Sequence, residues 1–147
     1  MRSLPLRFAF ALISSVCLGG AWYVEHSAAS SDSSAPAVTI KVTERDFHIS
    51  APKQVSSGNL LLNVSNKGPD QHELIVVRAQ SARLPLRSDG LTVNEKTLQR
   101  ATEPSLEPGE PGSVRWLRLH LPPGRYVLFC NMAGHYMGGM HTELEVR

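Results

Sequence analysis

The chain has 147 residues, 41% hydrophobic and 19% charged, with a formal net charge of +2. That length fits one domain rather than two, and the balance of apolar to charged residues excludes a disordered chain. The small charge, the lack of a Lys/Arg cluster and an aromatic content of only 6% argue against nucleic acid as a partner.

Residues 1–29 have the three parts of a secretory signal peptide. Arg2 and Arg7 give a basic start, residues 8–24 are almost wholly apolar or small, and Ser27-Ala28-Ala29 offers small residues for a cut after Ala29. The other reading is an uncleaved anchor over residues 8–24, a run at the short limit for spanning a bilayer. The expected location is periplasmic or otherwise exported, with membrane contact only if the anchor is kept. Cleavage would remove Cys17 and leave Cys130 as the one cysteine, so no intramolecular disulfide could form. A lone thiol in an oxidising compartment calls for burial or for a metal.

Residues 30–37 are small and polar, a flexible leader into a domain at 38–147. From Val38 onward short β runs are separated by turn signals. Residues 38–43 alternate apolar and polar with period two, the mark of a half-buried strand. A short run at 47–51 ends at Pro52. The apolar stretch 60–65 is closed by the strong turn Asn66-Lys67-Gly68-Pro69-Asp70, and 72–78 forms the next strand. The segment 79–112 breaks the rhythm. Its residues 91–101 fit an amphipathic helix on Leu91, Leu98 and Ala101, and 103–112 fit a loop rich in Pro, Gly and Glu. Strands resume at 113–120, where Trp116 is simplest as core, then at 125–130 and 141–146. About seven short strands favour an antiparallel sandwich over an α/β fold.

The chemistry concentrates between the last two strands, in Cys130-Asn131-Met132-Ala133-Gly134-His135-Tyr136-Met137-Gly138-Gly139-Met140. The spacing is Cys-x4-His-x4-Met. Thiolate, imidazole and thioether together are a soft donor set that selects copper over magnesium, calcium or manganese. Two His and one Cys with a weak axial Met define an electron-transfer copper site, so a second His must come from elsewhere. His72 is the candidate, because it opens a strand directly after the 66–70 turn and can share a sandwich end with Cys130. Met137 and Met132 compete with Met140 for the sulfur position. Gly134, Gly138 and Gly139 allow a tight loop. His48, His120 and His141 are simplest as surface histidines, and Glu73 as a solvated carboxylate. Tyr136, Met137, Gly138 and Gly139 could form an apolar docking patch around an exposed edge of His135.

This loop resembles the ligand loop of the cupredoxins, and most of all that of small bacterial plastocyanin- and azurin-like members with a CN-x-x-GH-x-x-x-GM pattern. The Asn66-Lys67-Gly68 turn before His72 is similar to the family's first-ligand region. The resemblance spans about residues 38–147, apart from the insert at 79–112. It implies an all-β Greek-key β-sandwich of about seven to eight strands and one type 1 copper ion, with His72, Cys130 and His135 as equatorial ligands and Met140 as the axial one. Many cupredoxins carry Asn or Ser after the first His; here Glu73 stands there, which bears on the colour and potential of the site. The expected function is one-electron transfer by Cu(II)/Cu(I), with no catalytic residues and a transient redox protein as partner. The alternative is a copper carrier, buffer or sensor of the exported space using the same ligands.

Overall fold

The computed structural model describes residues 37–147. The expected signal peptide or anchor at 1–29, and all but the last residue of the expected leader, lie outside the described residues. Period-two burial builds the first sheet. β1 (Val38–Arg45) turns Ile40, Val42 and Glu44 inward; β4 (Gly58–Asn66) turns in Leu60, Leu62, Val64 and Asn66. β7 (Val114–Leu121) does the same with Leu117, Leu119 and Leu121. With β2 (His48–Ser50) these form a four-stranded sheet in the order β2-β1-β4-β7. The second sheet has five strands: β3 (Gln54–Val55), β9 (His141–Val146), β8 (Gly124–Phe129), β5 (His72–Arg78) and β6 (Leu106–Gly109), paired in that order.

The sheets are mixed rather than purely antiparallel. β1 pairs parallel with β4, and β3 pairs parallel with β9. The inward faces of both sheets share one core, in which Leu60, Leu62 and Val64 join Leu74, Val76, Tyr126, Leu128, Cys130, Met140 and Leu144.

β5 and β8 are buried on both faces, so neither shows alternation in sequence. Their outward residues Ile75, Val77, Val127 and Phe129 meet Leu84, Val93 and Tyr136 in a second, smaller core. That second core is where the 79–112 segment goes. The expected helix over 91–101 is only one turn, α1 (Glu95–Leu98), with no buried residue. Leu91 is exposed, while Leu98 and Ala101 pack at the edge of the second core. The expected loop at 103–112 contains β6, whose Leu106 and Gly109 pair with Leu74 and His72. Pro108 within so short a run hides the strand from a propensity reading, but Pro is tolerated at a sheet edge, which is where β6 lies.

Trp116 is not core. It is 52% exposed, because the inward parity of β7 belongs to residues 117, 119 and 121. Among the described residues no helix is long and apolar enough to cross a membrane.

Candidate metal centre

Strand parity carries the site residues to one end of the main core. His72 shares the inward parity of Leu74 and Val76 on β5, and Cys130 shares that of Tyr126 and Leu128 on β8. The two strands are antiparallel neighbours, with Ile75 opposite Phe129, so their ends meet. The loop after Cys130 is closed at its base by the Cys130 N–H donating to the Met140 carbonyl at 3.1 Å. Inside it, His135 N–H bonds to the Met132 carbonyl and Met140 N–H to the His135 carbonyl. Gly134 and Gly139 take positive φ, 82° and 105°, which an L side chain would resist. The loop folds so that His135 turns back onto Cys130, with Nδ1 3.6 Å from Sγ.

The structure brings three of the four expected residues into one donor cluster. One ligand atom each from His72, Cys130 and His135 all lie within 4.8 Å of one another. His72 and Cys130 are buried and His135 is half-buried. Met140 is fully buried in the same core cluster as Cys130. Of its competitors, Met132 is partly buried against that core and Met137 is 54% exposed.

The donors fit a soft metal ion. His72 Nδ1 is buried and has no hydrogen-bond partner, while Nε2 is 3.0 Å from Asp46 Oδ1. Burial, then the neighbouring His135, lowers the His72 pKa against the opposing pull of Asp46, which favours the neutral ring with a free lone pair. Burial pushes the Cys130 thiol up to about 11, although the backbone N–H groups of Met132 and Glu73 bond its sulfur and work the other way. A buried thiol of that kind is no nucleophile at neutral pH. It becomes a thiolate when a cation takes the place of the proton, and two backbone donors are already in place to support the sulfur's negative charge.

Glu73 is not solvated as expected. It is half-buried, and its carboxylate accepts the N–H of Asn131 at 3.0 Å, directly after Cys130. Burial raises its pKa above the ordinary Glu value, with the Asn131 bond opposing. Asn131 itself ties the insert to the site. Its side chain accepts from Val93 N–H at 2.5 Å and donates to the Val93 carbonyl at 3.1 Å and to Glu95 Oε1 at 2.6 Å. Tyr136 also leaves the expected docking patch. It is buried, its ring packs edge-on to Phe129, and its hydroxyl bonds Leu84 N–H and the Ala82 carbonyl. The exposed apolar residues near His135 are instead Met137 and Phe47, whose ring centroid is 5.7 Å from that of His135.

Sequence reading passed over Asp46, Phe47 and Asn131. The first two form the tight turn between β1 and β2, and only the hairpin register marks it. Asn131 had a signal, its place directly after the cysteine. Among the described residues the other histidines stay apart from the cluster: His48 and His120 are exposed, His120 bonding Asn59, and His141 packs on Tyr136.

No protein-family model and no curated protein sequence matches the chain. Solved structures do. The chain superposes on reduced auracyanin from Roseiflexus castenholzii with a TM-score of 0.56 at 18% identity, covering 76% of this chain and 99% of that one. Rusticyanin from Thiobacillus ferrooxidans matches at 0.55 and 12% identity, covering 74% of this chain and 77% of that one. Auracyanin A from Chloroflexus aurantiacus, described as a "blue" copper protein, matches at 0.51 and 18% identity, covering 76% and 100%. The chain has the cupredoxin fold. On that frame the donor cluster stands at one end of the cupredoxin sandwich, and the two-sheet Greek-key expectation holds, with nine strands among the described residues rather than seven to eight.

Proposed function

We propose that this protein is a mononuclear copper protein that carries single electrons, with His72, Cys130 and His135 as principal ligands and Met140 as the weak fourth. The observation that carries the reading is the convergence of two imidazoles and one thiol within 4.8 Å of one another. This donor combination is the one electron-transfer copper sites use, and the auracyanin and rusticyanin likenesses support it. Copper supplies the Cu(II)/Cu(I) couple. The chain would supply a packed frame: His72, Cys130 and Met140 are fully buried, which would limit movement of the donors between the two oxidation states. Electrons would pass through the half-buried His135, beside exposed Phe47 and Met137, to a redox protein making a small, transient contact. Three of the four donors are buried, which favours passing electrons over bond chemistry on a bound substrate, and the reading is of a non-enzyme. A copper carrier would need accessible sulfur for hand-over, and of the loop methionines only Met137 is exposed, which favours the electron carrier. Export through residues 1–29 belongs to the same proposal.

The test is Cu(II) addition followed by visible absorption and EPR, beside Cys130→Ser. Wild type should develop an intense thiolate-to-copper charge-transfer band, and Cys130→Ser should lose it completely while keeping its β circular dichroism. A folded wild-type protein that takes up Cu(II) without such a band would sink the reading.

A further inference from the structure

We propose that Asp46 is a positioning residue of this centre, whose carboxylate holds the His72 ring in the tautomer that leaves Nδ1 bare for metal. The inference rests on the metal reading above and adds a residue to it. His72 has two ring nitrogens in different surroundings. Nε2 is 3.0 Å from Asp46 Oδ1, and a carboxylate can only accept, so Nε2 carries the hydrogen. Nδ1 is then the acceptor nitrogen, and it is the one buried without a partner. An unpartnered buried nitrogen is costly, and it is accounted for if a metal ion is its partner.

Two further features are built around this contact. Gly68 lies against the pair: a Cβ there would sit 2.6 Å from Asp46 Oδ1 and 2.7 Å from His72 Nε2. Its backbone is held in place by Asn66 Oδ1, which accepts the Gly68 N–H at 2.9 Å. Asp46 sits in a two-residue turn, since Arg45 pairs with His48. The other turn residue, Phe47, has φ 58°, a left-handed conformation that costs a bulky residue about 1–2 kcal/mol. Backbone strain of this kind gathers where function needs a fixed geometry. The strained residue also sets its ring against His135 and over Gly138. One turn therefore touches both histidines, Asp46 by a hydrogen bond and Phe47 by its ring.

A carboxylate accepting the far N–H of a metal-bound imidazole fixes the ring and makes it a stronger donor, an effect worth about 10–100-fold in metal affinity. Added negative charge favours the more highly charged metal state. Asp46→Ala should therefore weaken Cu(II) more than Cu(I), and each tenfold difference raises the potential by about 59 mV.

The experiment compares wild type with Asp46→Ala, Asp46→Asn and Gly68→Ala. Long-range proton–nitrogen NMR on the metal-free proteins, with the rings neutral, reads the His72 tautomer. Wild type and Asp46→Asn should show the hydrogen on Nε2, since Asn still offers an acceptor oxygen. Asp46→Ala and Gly68→Ala should show a mixture or the other tautomer. After copper loading, Asp46→Ala should lose Cu(II) affinity about 10–100-fold and rise in potential. Asp46→Asn should keep the wild-type EPR spectrum and still rise in potential, because it keeps the geometry and loses the charge. A wild-type tautomer retained in folded Asp46→Ala overturns the proposal; if that variant does not fold, Gly68→Ala decides. If wild type binds no copper at the cluster, the electron-carrier reading fails, and the metal-free tautomers still decide the part played by Asp46.

Discussion

Arg115→Met should lower the free energy of unfolding by about 3–5 kcal/mol, the usual result of stripping one partner from a buried ion pair. Glu44 is completely buried, and Arg115 is only 16% exposed in its side chain; Glu44 Oε2 lies 2.5 Å from Arg115 Nη2. The pair exists because strand parity turns both residues inward at the end of the main core. It is only half satisfied. Glu44 Oε1 and Arg115 Nε have no hydrogen-bond partner, although Arg115 also donates to the Glu107 carbonyl.

Burial raises the Glu44 pKa while Arg115 holds it down. An acid with a raised folded pKa keeps its proton more tightly when folded. Stability therefore falls as pH rises from the ordinary Glu range through the raised value. Without Arg115 that value climbs further, so the variant's loss should grow from mildly acid to neutral pH. The double variant Glu44→Leu/Arg115→Met should recover most of the loss, because an apolar replacement of the whole pair is often neutral or better. Urea unfolding at two pH values reads both effects. A denaturation midpoint equal to wild type in Arg115→Met at neutral pH would show that the pair carries no stability.

Asn131→Ala should cost on the order of 3 kcal/mol and open the insert. The side chain satisfies both backbone groups of Val93, a residue with no solvent exposure. Truncation strands the buried Val93 N–H, worth about 1–3 kcal/mol, and leaves the Val93 carbonyl with the Glu95 N–H alone. It also frees Glu95, whose carboxylate accepts from the same amide. Hydrogen exchange should locate the damage: the Val93 amide should lose protection, while the central amides of β4 and β7 keep theirs. Uniform loss across both sheets would instead mark Asn131 as a general core residue.

The donor loop could be read from sequence because its chemistry is concentrated, with three soft donors at fixed spacing between two strands. His72 could be read because a strong turn ends just before it. β4, β7 and β9 bury alternate residues and leave a period-two trace. What escaped has a physical reason in each case. β8 is covered on both sides, so its alternation vanishes, and nothing in its sequence announces the second core. Trp116 looked like core by residue type, but one register step assigns it to solvent. The helix expected over 91–101 had three apolar residues at helical spacing, and Asn131 instead pins Val93 in an extended stretch. Asp46 and Glu73 act through single hydrogen bonds to groups far away in the chain, and such contacts leave no periodic mark.

The strand pairing also bears on when the donors can meet. β1 and β2 form the one local hairpin of the first sheet; β1 with β4, β4 with β7 and β3 with β9 each join distant segments. Chains dominated by such pairings fold slowly, in milliseconds to seconds. His72 and Cys130 stand at the ends of the paired strands β5 and β8, so the donor set is complete only when that pair and the loop after Cys130 are formed. Metal that binds only the finished chain adds stability by mass action. If the metal joins only the finished fold, its bonds slow unfolding without hastening folding, and the apoprotein and the loaded protein should differ in lifetime far more than in folding rate.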